Sequence, residues 1–389
     1  MRAVCWHGVG DVRVDNVPDP TLLNPRDAII KVTATTICGS DLHIYDGYIP
    51  TMKEGDIIGH EFMGEVVEVG REVKKLKIGD RVVVSSIIGC GQCFFCQEQA
   101  WSLCDNSNPN GWIQEPIFGY GTAGIFGYSH AFGGYAGSQA EYIRVPFADH
   151  GCVKVPKELP EEKLLPISDA FPTGYMGAAF CDIQPGDTVA VWGCGPVGQF
   201  AMKSAYLLGA ERVIGIDEVP ERLQLARTFA GAETINFSEV DAGEALTEMT
   251  GGRGPDACID ACGLEAHGLG FEGMYDRVKQ AVRMETDRPN ILRQMLVACR
   301  KGGTVSIMGV YSGLVDKIPM GAAFNKGLTL KMGQMFGQKY MPKLVEYVLN
   351  GEVDPSVVFT HHLPLEETKQ GFELFKHKRD NCIKVLLKP

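Results

Sequence analysis

Residues 188–198 read TVAVWGCGPVG, and the fold turns on how they are read. The first six, TVAVWG, have the β-branched and apolar character of a strand. Gly193, Gly195 and Gly198 then space as G-x-G-x-x-G, with Pro196 and Val197 inside the loop. A helical stretch, VGQFAMKSAYLLGA, follows directly. Alone, the glycine pattern is weak, because glycine is common. Between a strand and a helix it acquires a mechanism. The first glycine permits a tight turn, the second lets a pyrophosphate approach the backbone, and the third lets helix and strand pack closely. The helix N-terminus adds N–H groups and partial positive charge for the phosphates. Asp217 ends the next strand, RVIGID, nineteen residues after Gly198. A carboxylate there can bind both ribose hydroxyls and repel a 2′-phosphate, which favours NAD over NADP. Arg222 is close enough in sequence to offset part of that repulsion.

Outward from this loop, strand and helix patterns alternate. PERLQLARTFAG follows RVIGID, and further strands come at DACIDAC and GGTVSIMGV. Such alternation predicts a parallel sheet with helices on both faces. Upstream, to about residue 155, the texture is different. AIIKVTATTI, GEVVEVG, DRVVVSSII and AEYIRV are short strands broken by Gly, Pro and Asp, which predicts a small all-β unit. The end of the chain holds a helix, MPKLVEYVLNG, and a last strand, CIKVLLKP. At 389 residues the chain is too long for one core, so two domains are expected. Residues 263–289 are long for a connection in an α/β unit; a covering loop and a tolerated surface insertion are both open.

The net charge of −11 gives a surface that repels phosphate backbones, so nucleic acid is not an expected partner. No apolar run approaches the roughly 20 residues that span a bilayer. The opening MRAVCWHGVGDVRVDNVP alternates like a strand rather than a signal peptide, so a cytoplasmic location is expected. Thirteen cysteines, an odd number, suggest metal ligands plus buried thiols in a reducing compartment. Cys5, Cys152, Cys181, Cys194, Cys258, Cys262, Cys299 and Cys382 are read as packed thiols.

Cys90, Cys93, Cys96 and Cys104 form C-x2-C-x2-C-x7-C. Four thiolates so close match a tetrahedral zinc site with no position left for water, which makes it structural. A second constellation is dispersed. Cys38 opens CGSDLH, with Ser40 and His43 just after it; His60 lies in GHEFMGEVVEVG, followed by Glu61 as a candidate outer-shell acid. These suit an open zinc site, which takes three protein ligands, yet only two are visible. Asp169 is the one ionisable residue of PISDAFPTGY. As a helix cap it would be redundant, because Ser168 caps equally well.

The ordered series CGSDLH, GHEFMGEVVEVGREV, KIGDRVVV, the four-cysteine lobe, AEYIRV and WGCGPVG resembles the zinc-dependent medium-chain alcohol dehydrogenases over nearly the whole chain. The resemblance implies a GroES-like β-rich catalytic domain, a Rossmann domain for the nicotinamide cofactor, and a chain end that returns to the first domain. The expected divisions are 1–168, 169–335 and 336–389. It implies that Cys38 and His60 hold a catalytic zinc and that Cys90, Cys93, Cys96 and Cys104 hold a structural one. Ser40 and His43 would form the proton relay, Thr173 would sit beside the nicotinamide, and Lys384 would face the pyrophosphate. Alignment on TGY brings Asp169 to the position of the family's third ligand, often a cysteine. An aspartate there, SDAFPTGYMGA and the insertion after DACG are similar to the glutathione-independent formaldehyde dehydrogenases and dismutases. One departure is Gly39, where many members carry a basic residue.

The expected function is hydride transfer between NAD and a small aldehyde, as its hydrate, or a primary alcohol, including formaldehyde oxidation or dismutation. The alternatives are a polyol or secondary-alcohol dehydrogenase and a non-catalytic NAD-binding protein. The resemblance implies a homo-oligomer, with a tetramer favoured. Tyr48, Trp101 and Phe118 can line a substrate cleft or simply pack. His361 and His362 are read as surface residues.

Overall fold

A computed structural model describes residues 1–263, 289–311, 315 and 317–389. The body of the 263–289 insertion therefore lies outside the described residues. The chain forms two compact units, Met1–Pro172 with Met335–Pro389, and Thr173–Gln334. The division after Pro172 leaves Asp169 in the first unit, four residues later than the sequence pattern placed it.

In the second unit, six strands among the described residues form one sheet. Their order is Glu233–Asn236, Arg212–Asp217, Thr188–Trp192, Ala257–Asp260, Thr304–Ile307 and Thr329–Met332. Every pairing is parallel. In chain order this is 3-2-1-4-5-6, the doubly wound Rossmann arrangement, whose direction reverses between Thr188–Trp192 and Ala257–Asp260. All five residues of Thr188–Trp192 are buried, which is why this strand reads as a continuous apolar run. Ala190, Ile214, Ile216, Cys258, Met295 and Val305 meet in the core beneath it.

The first unit is built on a seven-stranded sheet. One path runs His361–Pro364, Val385–Lys388, Ala28–Thr36, Phe62–Val69, Arg81–Val84 and Cys152–Lys154, and Tyr142–Val145 also pairs with Ala28–Thr36. The C-terminal strand thus lies against an N-terminal one, through Leu386 opposite Thr36. Alternate residues of these strands, among them Ile30, Val32, Phe62, Val66, Val82, Val84 and Ile143, form one core, with Phe62 edge-on to Phe126. Burying each such side chain contributes about 1.5–3 kcal/mol.

Three register facts assemble one end of this sheet. Thr35 pairs with Phe62, Phe62 with Val84, and Thr36 with Leu386, all antiparallel. Two residues beyond these pairs come Cys38, His60, Ser86 and Lys384. Residues far apart in sequence are thereby delivered to one place by hydrogen-bond register.

Candidate active site

Cys38 caps the short helix Gly39–Tyr45. Its backbone N–H donates to Asp41 Oδ2 at 2.9 Å. Asp41 is fully buried; Gln139 Nε2 donates to the same oxygen at 3.2 Å. The other oxygen, Oδ1, lies 3.4 Å from His60 Nδ1. One carboxylate thus ties the loop carrying Cys38 to the ring of His60. His60 Nε2 faces the other way, 3.1 Å from Ser40 Oγ and 4.0 Å from Asp169 Oδ2. Ser86 Oγ donates to that Asp169 oxygen at 2.5 Å. His43 is buried on the same short helix as Ser40, three residues on.

Glu61 is fully buried, and its Oε1 accepts from Lys384 Nζ at 2.8 Å. The Lys384 ammonium also donates to the Ile37 carbonyl at 3.3 Å. Lys384, expected at the cofactor pyrophosphate, is thus buried and committed to Glu61; reaching a phosphate would require leaving this pair. Glu61 Oε2 is buried with no hydrogen-bond partner among the described residues. Ligand atoms of Cys38, His60 and Glu61 all lie within 4.8 Å of one another. Glu61 therefore comes closer to the cluster than an outer-shell acid need do, whereas Asp169 lies outside this group and approaches His60 Nε2 at 4.0 Å.

The electrostatics follow from burial among acids. Burial pushes the Cys38 thiol pKa up, and the Glu61 charge adds to the effect. Burial alone would lower the His60 pKa, but Asp41 and then Cys38 outweigh it and hold it well above the ordinary imidazole value. Burial likewise disfavours the Lys384 ammonium, and Glu61 reverses that, so this lysine keeps its charge. A thiol, an imidazole and converging carboxylates with one unsatisfied buried oxygen form a site short of positive charge. A divalent cation taking mixed S, N and O donors satisfies it, and zinc is the metal that suits such a set.

The four-cysteine lobe is a separate cluster, with its sulfurs mutually within 4.8 Å. Backbone N–H groups of Gln92 and Cys93 donate to Cys90 Sγ at 3.4 Å, and that of Cys90 to Cys104 Sγ at 3.3 Å. These donors favour thiolates. The neighbouring Cys96 thiol, with Ser107 and amide donors, holds Cys104 down to about 4. Trp101 packs close to Gly89 and His150 and so belongs to this lobe's packing. All thirteen cysteines are free thiols, and Cys152 and Cys262 are only partly buried. His362 is exposed, 3.7 Å from Glu162.

In the second unit, Gly193 has φ +90°, which only glycine adopts cheaply. A Cβ on Gly198 would lie 1.8 Å from the Gly193 carbonyl oxygen, so helix and turn close tightly. Gly195 caps the helix Pro196–Leu207, and Pro196 stands at its first position, where a missing N–H costs nothing. Val197 follows, and its carbonyl lies against Gly174, one residue after Thr173 on the helix Ala170–Ala179. Asp217 Oδ2 accepts the Cys194 N–H at 2.8 Å, while Oδ1 accepts those of Glu218 and Val219. Asp217 therefore braces the glycine loop as well as offering a carboxylate. The Arg222 guanidinium lies beside Gly195, and its buried Nε has no partner among the described residues. A guanidinium beside the loop, with its Nε unsatisfied among the described residues, fits a phosphate-bearing cofactor.

Sequence reasoning missed Asp41, Gln139 and Ser86. Asp41 was detectable, because it stands at the third helical position after Cys38 as a capping acid. Ser86 and Gln139 carry no local signal; strand pairing alone brings them in.

A Rossmann sheet joined to a β-rich unit that carries a buried mixed-donor cluster defines a metal-dependent oxidoreductase of the two-domain type. Family models agree: residues 24–157 match the alcohol dehydrogenase GroES-like domain and 196–269 the zinc-binding dehydrogenase domain. The chain belongs to the zinc-dependent medium-chain alcohol dehydrogenase family. It is 45% identical to an uncharacterised zinc-type alcohol dehydrogenase-like protein of Bacillus subtilis, over 100% of both chains. It is 38% identical to formaldehyde dismutase of Pseudomonas putida, over 86% of this chain and 81% of that one. Among solved structures, alcohol dehydrogenase TADH from Thermus sp. ATN1 superposes with a TM-score of 0.83 at 34% identity, covering 100% and 99% of the two chains. No helix among the described residues is long and apolar enough to cross a membrane.

Proposed function

We propose that this protein is an NAD-dependent dehydrogenase acting on a small aldehyde hydrate or primary alcohol, with formaldehyde oxidation or dismutation as the leading activity. The observation that carries this is Asp169, whose Oδ2 lies 4.0 Å from His60 Nε2. Similarity to a formaldehyde dismutase supports the substrate class. Cys38, His60 and Asp169 would hold zinc, which when bound supplies Lewis acidity at the substrate oxygen, while NAD supplies or accepts the hydride. Asp41 orients the His60 ring. Ser40 and His43, three apart on one helix, share a face and form the proton path from substrate oxygen toward solvent. Buried Lys384 balances the charge of Glu61 at the cluster. Gly193, Gly195 and the Pro196–Leu207 N-terminus receive the pyrophosphate. Asp217 meets the adenosine ribose, and Arg222, beside Gly195, faces the pyrophosphate.

The test is Asp169→Ala, read by zinc content and by a substrate panel. The variant should retain the four-cysteine zinc, lose the second metal, and lose at least about 100-fold in turnover. Retention of both metals with full activity would reduce Asp169 to a helix cap. In wild type, formaldehyde should turn over with NAD, both as NADH release and as dismutation. Activity confined to sorbitol or 2-propanol would move the protein to the polyol or secondary-alcohol class.

A further inference from the structure

Ser86 belongs to no motif, yet the structure gives it a defined place. It is only 1% exposed. Its N–H donates to the Ser168 carbonyl at 3.2 Å, and its own carbonyl accepts the Phe126 N–H at 3.3 Å. Both sides of its backbone are therefore pinned, one of them to the residue preceding Asp169. Its hydroxyl donates to Asp169 Oδ2, the same oxygen that approaches His60 Nε2.

A cysteine presents a single sulfur to a metal, and one torsion places it. An aspartate has a second torsion and two oxygens, so several orientations compete. A donor fixed on one oxygen removes that freedom. An ionised carboxylate oxygen has more than one lone-pair site, so accepting from Ser86 leaves capacity for a metal. Hydrogen bonds of this kind to a ligating group ordinarily set its orientation and tune the metal.

We propose that Ser86 is a positioning residue for the catalytic metal: its hydroxyl selects the Asp169 rotamer that turns a carboxylate oxygen toward Cys38 and His60. This rests on Asp169 being the third ligand. It adds that an aspartate at this position works because a serine two residues beyond the strand Arg81–Val84 is there to hold it. The hydroxyl would have no comparable task beside a thiolate.

The experiment measures zinc per chain on purified holoenzyme dialysed against a graded series of buffered chelator. Wild type, Ser86→Ala, Asp169→Ala, Asp169→Cys and the Ser86→Ala/Asp169→Cys double variant are compared. The four-cysteine zinc serves as the internal reference for folding. Ser86→Ala should release the second zinc at about 10- to 100-fold lower free chelator, with the lobe zinc unchanged. In the Asp169→Cys background the same serine change should have no further effect. Zinc retention equal to wild type in Ser86→Ala, while Asp169→Ala has lost that zinc, would overturn the role of Ser86 and leave Asp169 as the ligand. An equal loss in both backgrounds would overturn it as well, since packing rather than orientation would then be responsible. If Asp169→Ala keeps both zincs, the ligand assignment fails first, and the role of Ser86 falls with it.

Discussion

Asp41 shows how much one side chain can carry. One oxygen accepts the Cys38 N–H and the other faces His60 Nδ1. A proton held on Nδ1 leaves the Nε2 lone pair for a metal. Asp41→Asn keeps the size and an acceptor but removes the charge. The catalytic zinc should then bind about 10- to 100-fold more weakly, with the far-ultraviolet circular dichroism and the lobe zinc unchanged. Chelator competition checks it; unchanged affinity would leave Asp41 as a helix cap and nothing more. Asp217, expected at the ribose, also accepts the Cys194 N–H of the glycine loop through one oxygen and caps its own following turn, Glu218 and Val219, through the other.

At the scale of elements, Asp256 anchors the strand Ala257–Asp260, which borders the point where the sheet reverses direction. Its Oδ2 accepts the Thr188 N–H at 2.8 Å, and Oδ1 pairs with Arg300. Burial raises its carboxyl pKa, but the Thr188 amide and Arg300 outweigh this and hold it below the ordinary value. A folded-state pKa lowered in this way stabilises the fold above the unfolded value, about 3.9, and the contribution disappears as pH falls through the folded value. Asp256→Asn should therefore cost about 1–3 kcal/mol at pH 7 and progressively less toward pH 3. Thermal unfolding of both proteins across that range reads the difference; a gap constant with pH would assign the loss to bond geometry rather than charge. The four-cysteine lobe is the opposite sort of element. Its four cysteines lie close together in sequence, so their clustering was legible from spacing without any strand pairing.

At the scale of the whole molecule, the glycine loop and the mixed-donor cluster fall in different units. Gly195 has φ −68°, open to any residue, and an added Cβ would meet nothing nearer than Arg222 at 3.6 Å. Gly195→Ala should therefore fold normally while placing a methyl where the pyrophosphate approaches. NAD at a hundredfold excess over Kd should stabilise the wild type by about 2.7 kcal/mol and the variant by far less. Zinc content and the melting temperature without NAD should match wild type. An undiminished NAD shift in calorimetry would put the phosphates elsewhere. The helix Ala170–Ala179 spans the division after Pro172, so no break in local pattern marks it.

Local pattern alone determined the Rossmann loop, the strand-and-helix alternation behind it, the β-rich character of the first unit and the lobe of four thiolates. Each depends on residues a few positions apart, whose geometry the backbone sets directly. The cluster of Cys38, His60, Glu61, Asp169 and Lys384 could be suspected from resemblance, but its contacts were decided by tertiary structure. Three antiparallel registers carry Cys38, His60, Ser86 and Lys384 to one end of the sheet, and Asp169 arrives through the pairing of Ser86 with Ser168; register is a relation between distant strands that no single stretch contains. For the same reason Lys384 turned out to partner Glu61, and Ser86 came into view only once its strand was paired.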